Sequence, residues 1–345
     1  MHPRHRTRPL LQALLAFAAW AHATPASAGP REACDYSARH GGVTCVVMVG
    51  GQIVHEQYRQ AGDEAERWRL ASGTKSFSGV LAAAAAQDGL LSLDEPVSDT
   101  LTEWRADERH AITVRQLLSL TSGIDTPAPG GGGRATPEAT VARRALHAPG
   151  VHFSYGQAPF QIFAALMARK LGAAMNGESP EAYLQRRVLA PLGITLEFRP
   201  LPLLDRGGTD WGGGGAMAAR DWGRFGEFVR QGGRWQGRQL VDAAVLAQNF
   251  SGSATHPGYG LTWWLKPPPG ATVPLEGTTE NATDFFKGGA ATLPVAQVWM
   301  AAGAGKQRLV ILPERQLVAV RQTARVLGGE RAGFSDVAFL RLLVE

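Results

Sequence analysis

Two residue types able to carry out acyl transfer stand three apart in Ser72-Gly73-Thr74-Lys75, at the start of an alanine-rich stretch. On a helix that spacing sets hydroxyl and amine on one face, and the helix N-terminus adds unpaired N–H groups beside the serine. A serine nucleophile needs a base to take its proton and donors for the oxyanion that develops on the attacked carbonyl. Of 35 basic residues only Lys75, Lys170, Lys266, Lys287 and Lys306 are lysine. Arginine does not deprotonate in proteins, whereas a buried lysine can have its pKa lowered until it acts as a base. The same four residues also suit a plain helix start, with serine as the cap and the lysine in solvent.

Other chemistries lose their main support. There is no GxSxG elbow, His55-Glu56 lacks the second histidine of HExxH, and Gly305-Lys306 resembles only the end of a P-loop. The two cysteines, Cys34 and Cys45, have no cysteine or histidine cluster around them and make a poor zinc site. An oxidising compartment would join them as a disulfide stapling the N-terminal strand region, and a reducing one would leave two thiols. No metal or organic cofactor is expected.

The elements that must position Ser72 and Lys75 are legible around them. Val43 to Val49, Gly50-Gly51 and Gln52 to Tyr58 read as a β-hairpin. Ser72 to Leu91, closed by Asp88-Gly89, reads as a helix apolar on nearly all sides, which belongs inside a domain. Helical patterns recur at Val114–Leu120, Phe160–Leu171 and Arg220–Gln231, the last preceded by the glycine run Gly212–Gly215. Pro127 to Pro137 reads as a surface loop. Strands are expected at Gln297–Ala302, Arg308–Leu312 and Leu317–Arg321, with a turn at Pro313-Glu314 and a closing amphipathic helix over Ser335–Val344. Strands at both ends with helices between imply one sheet completed by the two termini. The expected division is a sheet-containing part, 29–90 and 235–345, and an inserted helical part, 91–234.

Residues 1–28 read as an export leader: Arg4, Arg6 and Arg8, an apolar run from Leu10 to Trp20, and the small-residue site Ala26-Ser27-Ala28. About 11 apolar residues are too few for an anchor, since spanning takes roughly 20, so cleavage before Gly29 and a periplasmic or secreted protein are expected. The leader holds three of the five net positive charges, and the remainder at +2 implies no nucleic-acid partner. No later segment is apolar enough to span a membrane, so no stable membrane insertion is expected after cleavage.

Further on, Pro149-Gly150-Val151-His152-Phe153-Ser154-Tyr155-Gly156-Gln157 delivers a tyrosine just before a helix. With SGTK, this resembles the serine β-lactamase and penicillin-binding protein superfamily, SGTK matching its SxxK motif and Tyr155-Gly156-Gln157 the YxN motif of its class C branch. The phrases Gly89-Leu90-Leu91-Ser92-Leu93-Asp94-Glu95-Pro96-Val97, Ile112-Thr113-Val114-Arg115-Gln116-Leu117-Leu118 and Thr121-Ser122-Gly123 agree in order and spacing, and the likeness covers roughly residues 40 to 325. It implies an α/β, β-lactamase-like fold, an antiparallel sheet flanked by helices with an inserted mostly helical domain and the active site between them. It implies that Ser72 attacks, Lys75 holds or accepts its proton, and Tyr155 relays the proton to the leaving group.

Two positions depart from the superfamily pattern. Gln157 stands where the motif has asparagine, and Ala301-Ala302-Gly303 stands where it has KTG. The kept Gly303 would let a substrate carbonyl approach, with the N–H groups of Ala304 and Ser72 as oxyanion donors. The lost lysine would have helped to hold the carboxylate of a β-lactam or a D-Ala-D-Ala peptide; Lys306, three residues beyond Gly303, either replaces it or, as expected, points into solvent from the strand end. The pattern looks more like the 6-aminohexanoate-dimer hydrolases and related esterases, so the expected partner is a small-molecule ester or linear amide. Of the tryptophans, Trp299 is expected nearest the site, two residues before Ala301.

Overall fold

A computed structural model describes residues 28–60, 63–127, 135–199, 208–278, 280–326 and 333–345. The leader and most of the Pro127–Pro137 loop lie outside the described residues. Six strands form an antiparallel sheet in the order Gln52–Tyr58, Thr44–Val49, Leu317–Gln322, Gln307–Leu312, Trp299–Gly303, Trp264–Leu265. The two ends of the chain thus meet at its centre, Thr44 pairing with Gln322 and Arg308 with Arg321. The hairpin turns at Gly50 and Gly51, both at positive φ as such a two-residue turn requires.

Alternation along the central strands splits their side chains between two layers of helix. One face is covered by the helices Pro30–Arg39 and Asp336–Val344, which also pack on each other. The first of these helices has no counterpart in the sequence reading. It carries Cys34, disulfide-bonded to Cys45 on the neighbouring strand, so the bridge ties helix to sheet. The other face receives the helix Ala219–Arg230, whose glycines let it lie close: a Cβ at Gly226 would meet Leu309 and Val318 at 2.7 and 2.8 Å. That helix falls inside the expected inserted region 91–234, yet it packs with the sheet.

The alanine-rich helix runs Ser76–Gln87, with every residue from Ser76 to Ala85 buried. Phe77, Val80 and Leu81 are fully enclosed, each contributing about 1.5–3 kcal/mol of burial. The helix stops at Asp88-Gly89, where Gly89 turns at φ 73° and Asp88 is held by Tyr183 and Arg187. Its expected first turn is a separate 3-10 turn, Ala71–Lys75, entered through a left-handed Ala71 at φ 48°. Long helices Ala158–Ala174 and Ala219–Arg230, a short one at Val114–Leu118, and strands at Trp299–Gly303, Gln307–Leu312 and Leu317–Gln322 lie where the periodicity placed them.

Candidate active site

Ser72 lies in the 3-10 turn between a short strand and the buried helix. The strand Trp68–Arg69 pairs with Gly215–Met217, and the Leu70 N–H donates to the Gly215 carbonyl at 2.8 Å. Thr74 ties the turn from within, donating to the Ala71 carbonyl at 2.6 Å and accepting the Gly215 N–H at 2.9 Å. A non-glycine residue at positive φ costs energy and persists only where its surroundings over-determine it. Here those bonds hold Ala71, and with it the orientation of Ser72.

Lys75 is 1% exposed, which excludes the plain helix start with a solvated lysine. Its Nζ lies 3.0 Å from Ser72 Oγ and donates to the Gly212 carbonyl at 2.6 Å. The same nitrogen is 4.9 Å from the centroid of the Tyr155 ring and 5.4 Å from that of Phe160. Gly212 was not singled out as a site residue by the sequence, although four consecutive glycines before a helix mark a backbone that something approaches closely. Gln157, the residue standing for the motif asparagine, occupies the position before the Ala158–Ala174 helix without a side-chain capping bond and packs beside Gly212, where a Cβ would meet its side chain at 2.8 Å. A backbone carbonyl thus accepts the lysine bond.

Tyr155 is delivered by backbone bonds from its segment to Leu120 and Gly277. Gly156 admits no side chain, because a Cβ there would fall 1.5 Å from Thr126 Oγ1. Burial pushes the Tyr155 hydroxyl up to about 12, while the bond from Ser72, the charge of Arg308 and the bond from Trp264 act in the opposite direction. Trp264 stacks on the Tyr155 ring at 5.2 Å within a cluster that includes Phe153, His256 and Tyr259. Burial also pushes His256 down to about 4.

Trp299 shares a sheet face with Gly303 by alternation, but its ring stacks on Phe250 at 3.7 Å. The indole against Tyr155 is Trp264, from the edge strand beside it. Gly303 itself lies hard against the turn that carries Ser72: a Cβ there would be 2.0 Å from the Leu70 carbonyl oxygen and 3.1 Å from the Gly73 nitrogen. Ser72, Lys75, Tyr155, Gly303 and Ala304 are therefore drawn to one place from three distant stretches of chain. Lys306 is not in solvent. It is 1% exposed and ion-paired with Asp284 at 2.8 Å and Asp336 at 3.5 Å.

The chain belongs to the beta-lactamase family, whose model matches residues 17–337. Among solved structures it is similar to EstCE1, a hydrolase with promiscuous acyltransferase activity, with TM-score 0.66 and 17% identity over 92% of this chain and 96% of that one. It is also similar to a Bacillus anthracis protein provisionally described as a 6-aminohexanoate-dimer hydrolase, with TM-score 0.65 and 17% identity over 90% of this chain and 83% of the other. Protein flp of Staphylococcus aureus (strain MRSA252) is 26% identical over 147 residues, a match covering 37% of this chain and 27% of flp. At these identities the solved structures share the fold with this chain. Among the described residues no cluster of metal-binding side chains occurs and no helix is long and apolar enough to cross a membrane.

Proposed function

We propose that this chain is an exported serine hydrolase that cleaves a carboxylic ester or a linear amide through an acyl-enzyme on Ser72. The observation that carries the reading is the 3.0 Å contact between Lys75 Nζ and Ser72 Oγ, with the amine buried and also bonded to the Gly212 carbonyl. In its neutral form Lys75 takes the Ser72 proton as Oγ bonds to the substrate carbonyl carbon. The carbonyl oxygen gains negative charge against the N–H groups of Ser72 and Ala304.

Expulsion of the alcohol or amine needs a proton on the departing atom. Tyr155, pushed up to about 12 by burial, is a phenol at neutral pH, which suits it to donate that proton and leaves the base role to Lys75. The proton held on Lys75 then restores the phenol, and water attacks the acyl ester with the same groups acting in reverse. The disulfide and the expected leader both support export to an oxidising compartment.

Lys306, the lysine nearest in sequence to the position that KTG would occupy, is buried and committed to the interior Asp336 and to Asp284, which is exposed. This favours a substrate with no carboxylate to hold at the Gly303 edge, a neutral ester or amide over a β-lactam or a D-Ala-D-Ala peptide. The test is the intact mass of the protein and of Ser72→Ala after a fluorophosphonate, together with turnover of a short-chain p-nitrophenyl ester. One adduct on Ser72, absent from the variant, with ester turnover supports the reading. Faster ring-opening of a chromogenic cephalosporin would return the protein to the β-lactamases or carboxypeptidases, and a folded protein that never acylates would make it a binding protein.

A further inference from the structure

Behind the proposed oxyanion donor lies a buried set of charges that the mechanism above does not use. Arg308 is 0% exposed and Asp336 2%, and the carboxylate grips the guanidinium with both oxygens, at 2.5 and 3.0 Å. Asp336 opens the closing helix and Arg308 sits on the strand paired with Trp299–Gly303, on the sheet face away from Ser72. Burying such a pair is costly and is seldom needed for stability alone. Burial by itself would raise the Asp336 pKa, but the charges of Arg308, Lys306 and Arg321 hold the carboxyl below its usual range.

The remaining arm of Arg308 reaches forward. Its Nη1 donates to the Gly303 carbonyl at 3.0 Å and to the Gln307 carbonyl at 2.9 Å. The Gly303 carbonyl belongs to the peptide whose nitrogen is that of Ala304. The turn that follows is bound from the same side, Arg321 donating to the Lys306 carbonyl at 2.6 Å, while Gly305 and Lys306 both sit at positive φ. A planar peptide turns as one unit, so fixing its oxygen fixes its N–H. A cationic donor on the oxygen also polarises the amide and strengthens the N–H as a donor.

We propose that the buried Arg308–Asp336 pair is a positioning device for the oxyanion donor, setting and polarising the Gly303–Ala304 peptide from behind the sheet. The inference rests on the proposed acyl-enzyme reading. Arg308 acts through the peptide and touches no substrate, so its loss reduces stabilisation of the tetrahedral intermediate and leaves ground-state binding nearly intact. Removing an oxyanion donor outright costs about 10²–10³ in kcat, and releasing its orientation should cost about 10–100-fold.

The double variant Arg308→Met/Asp336→Leu removes both charges of the pair together, a change that buried pairs often tolerate, and leaves Lys306 its ion pair with Asp284 while taking the Asp336 charge away from Lys306 and Arg321. Arg308→Lys keeps the charge and the bond to Asp336 but loses the fork that spans both partners. Both should retain the wild-type circular dichroism spectrum, lose about 10–100-fold in kcat on a p-nitrophenyl ester with KM changed less than about threefold, and bind an alkyl boronic acid correspondingly more weakly. If the double variant fails to fold, Arg308→Lys decides the matter. Folded variants with kcat and boronate affinity within about twofold of wild type would overturn the inference while leaving the Ser72 reading standing. A wild-type protein that takes up neither fluorophosphonate nor ester would overturn both.

Discussion

Replacing Gly303 by alanine would place a methyl 2.0 Å from the Leu70 carbonyl oxygen and 3.1 Å from both Ala71 Cβ and the Gly73 nitrogen. Carbon-to-oxygen contacts settle near about 3.3 Å, so roughly 1.3 Å must open between the Trp299–Gly303 strand and the turn bearing Ser72. Neither side yields readily, since Leu70 is bonded to Gly215 and the Gly303 carbonyl to Arg308. Overpacking of this kind costs about 1–3 kcal/mol, and a misplacement of about 1 Å at a reacting centre costs on the order of 100-fold. Gly303→Ala is therefore expected to fold with a lowered urea midpoint and to lose about 100-fold in kcat/KM on a p-nitrophenyl ester, mostly in kcat. Gly172→Ala is the control, because a Cβ there meets nothing within 4 Å in an exposed turn of helix; it should keep full activity and gain about 0.5–1 kcal/mol. A Gly303→Ala protein within about twofold of wild type in kcat/KM, with an unchanged midpoint, would refute the close apposition of the strand and the Ser72 turn.

Lys75→Arg keeps the charge but not the basicity and should lower acylation at least about 10³-fold; stopped-flow with the ester checks it, and retained activity would end the base assignment. His256 is fully buried and pushed down to about 4, so between that value and the 6.5 of an unfolded histidine the unfolded chain binds more protons and acid favours unfolding. Stability should fall by about 2 kcal/mol between pH 7 and 5 on this account, a slope that urea titrations should find reduced in His256→Phe. Reducing the Cys34–Cys45 bond, which spans 11 residues, should cost about 3 kcal/mol and leave ester turnover unchanged at temperatures where the reduced protein stays folded; equal midpoints with and without reductant would contradict this.

Much of the frame was legible in the chain because it rests on short-range signals. The hairpin turning at Gly50-Gly51, the alanine-rich helix ending at Gly89 and the strands flanking Pro313 are each written in periodicity and breakers. The helix Pro30–Arg39 escaped because a short segment beginning with proline just after an expected leader offers little apolar period, and its buried face is only Ala33, Cys34 and Ser37. Lys306 departs from its expected place in solvent for a related reason. A lysine at a strand end reads as solvated unless its counter-charges are known, and Asp284 and Asp336 lie 22 and 30 residues further back and on.

The sequence by itself determined the family-like order of motifs, the serine–lysine spacing, the tyrosine turn and the glycine at the strand end, all properties of chemistry or local backbone freedom. Only the tertiary structure decided that the Gly212 carbonyl receives Lys75, that Trp264 rather than Trp299 lies against Tyr155, and that Arg308 reaches through the sheet to the Gly303 carbonyl. Those contacts join residues 137 positions apart in one case and 109 in another, a separation read from the numbers of Lys75, Gly212, Tyr155 and Trp264. A carbonyl acceptor carries no residue signature, and an indole or guanidinium serves equally well in a core. Which of them meets the site is set by strand order and by which face each side chain takes, and these follow from how the whole chain packs.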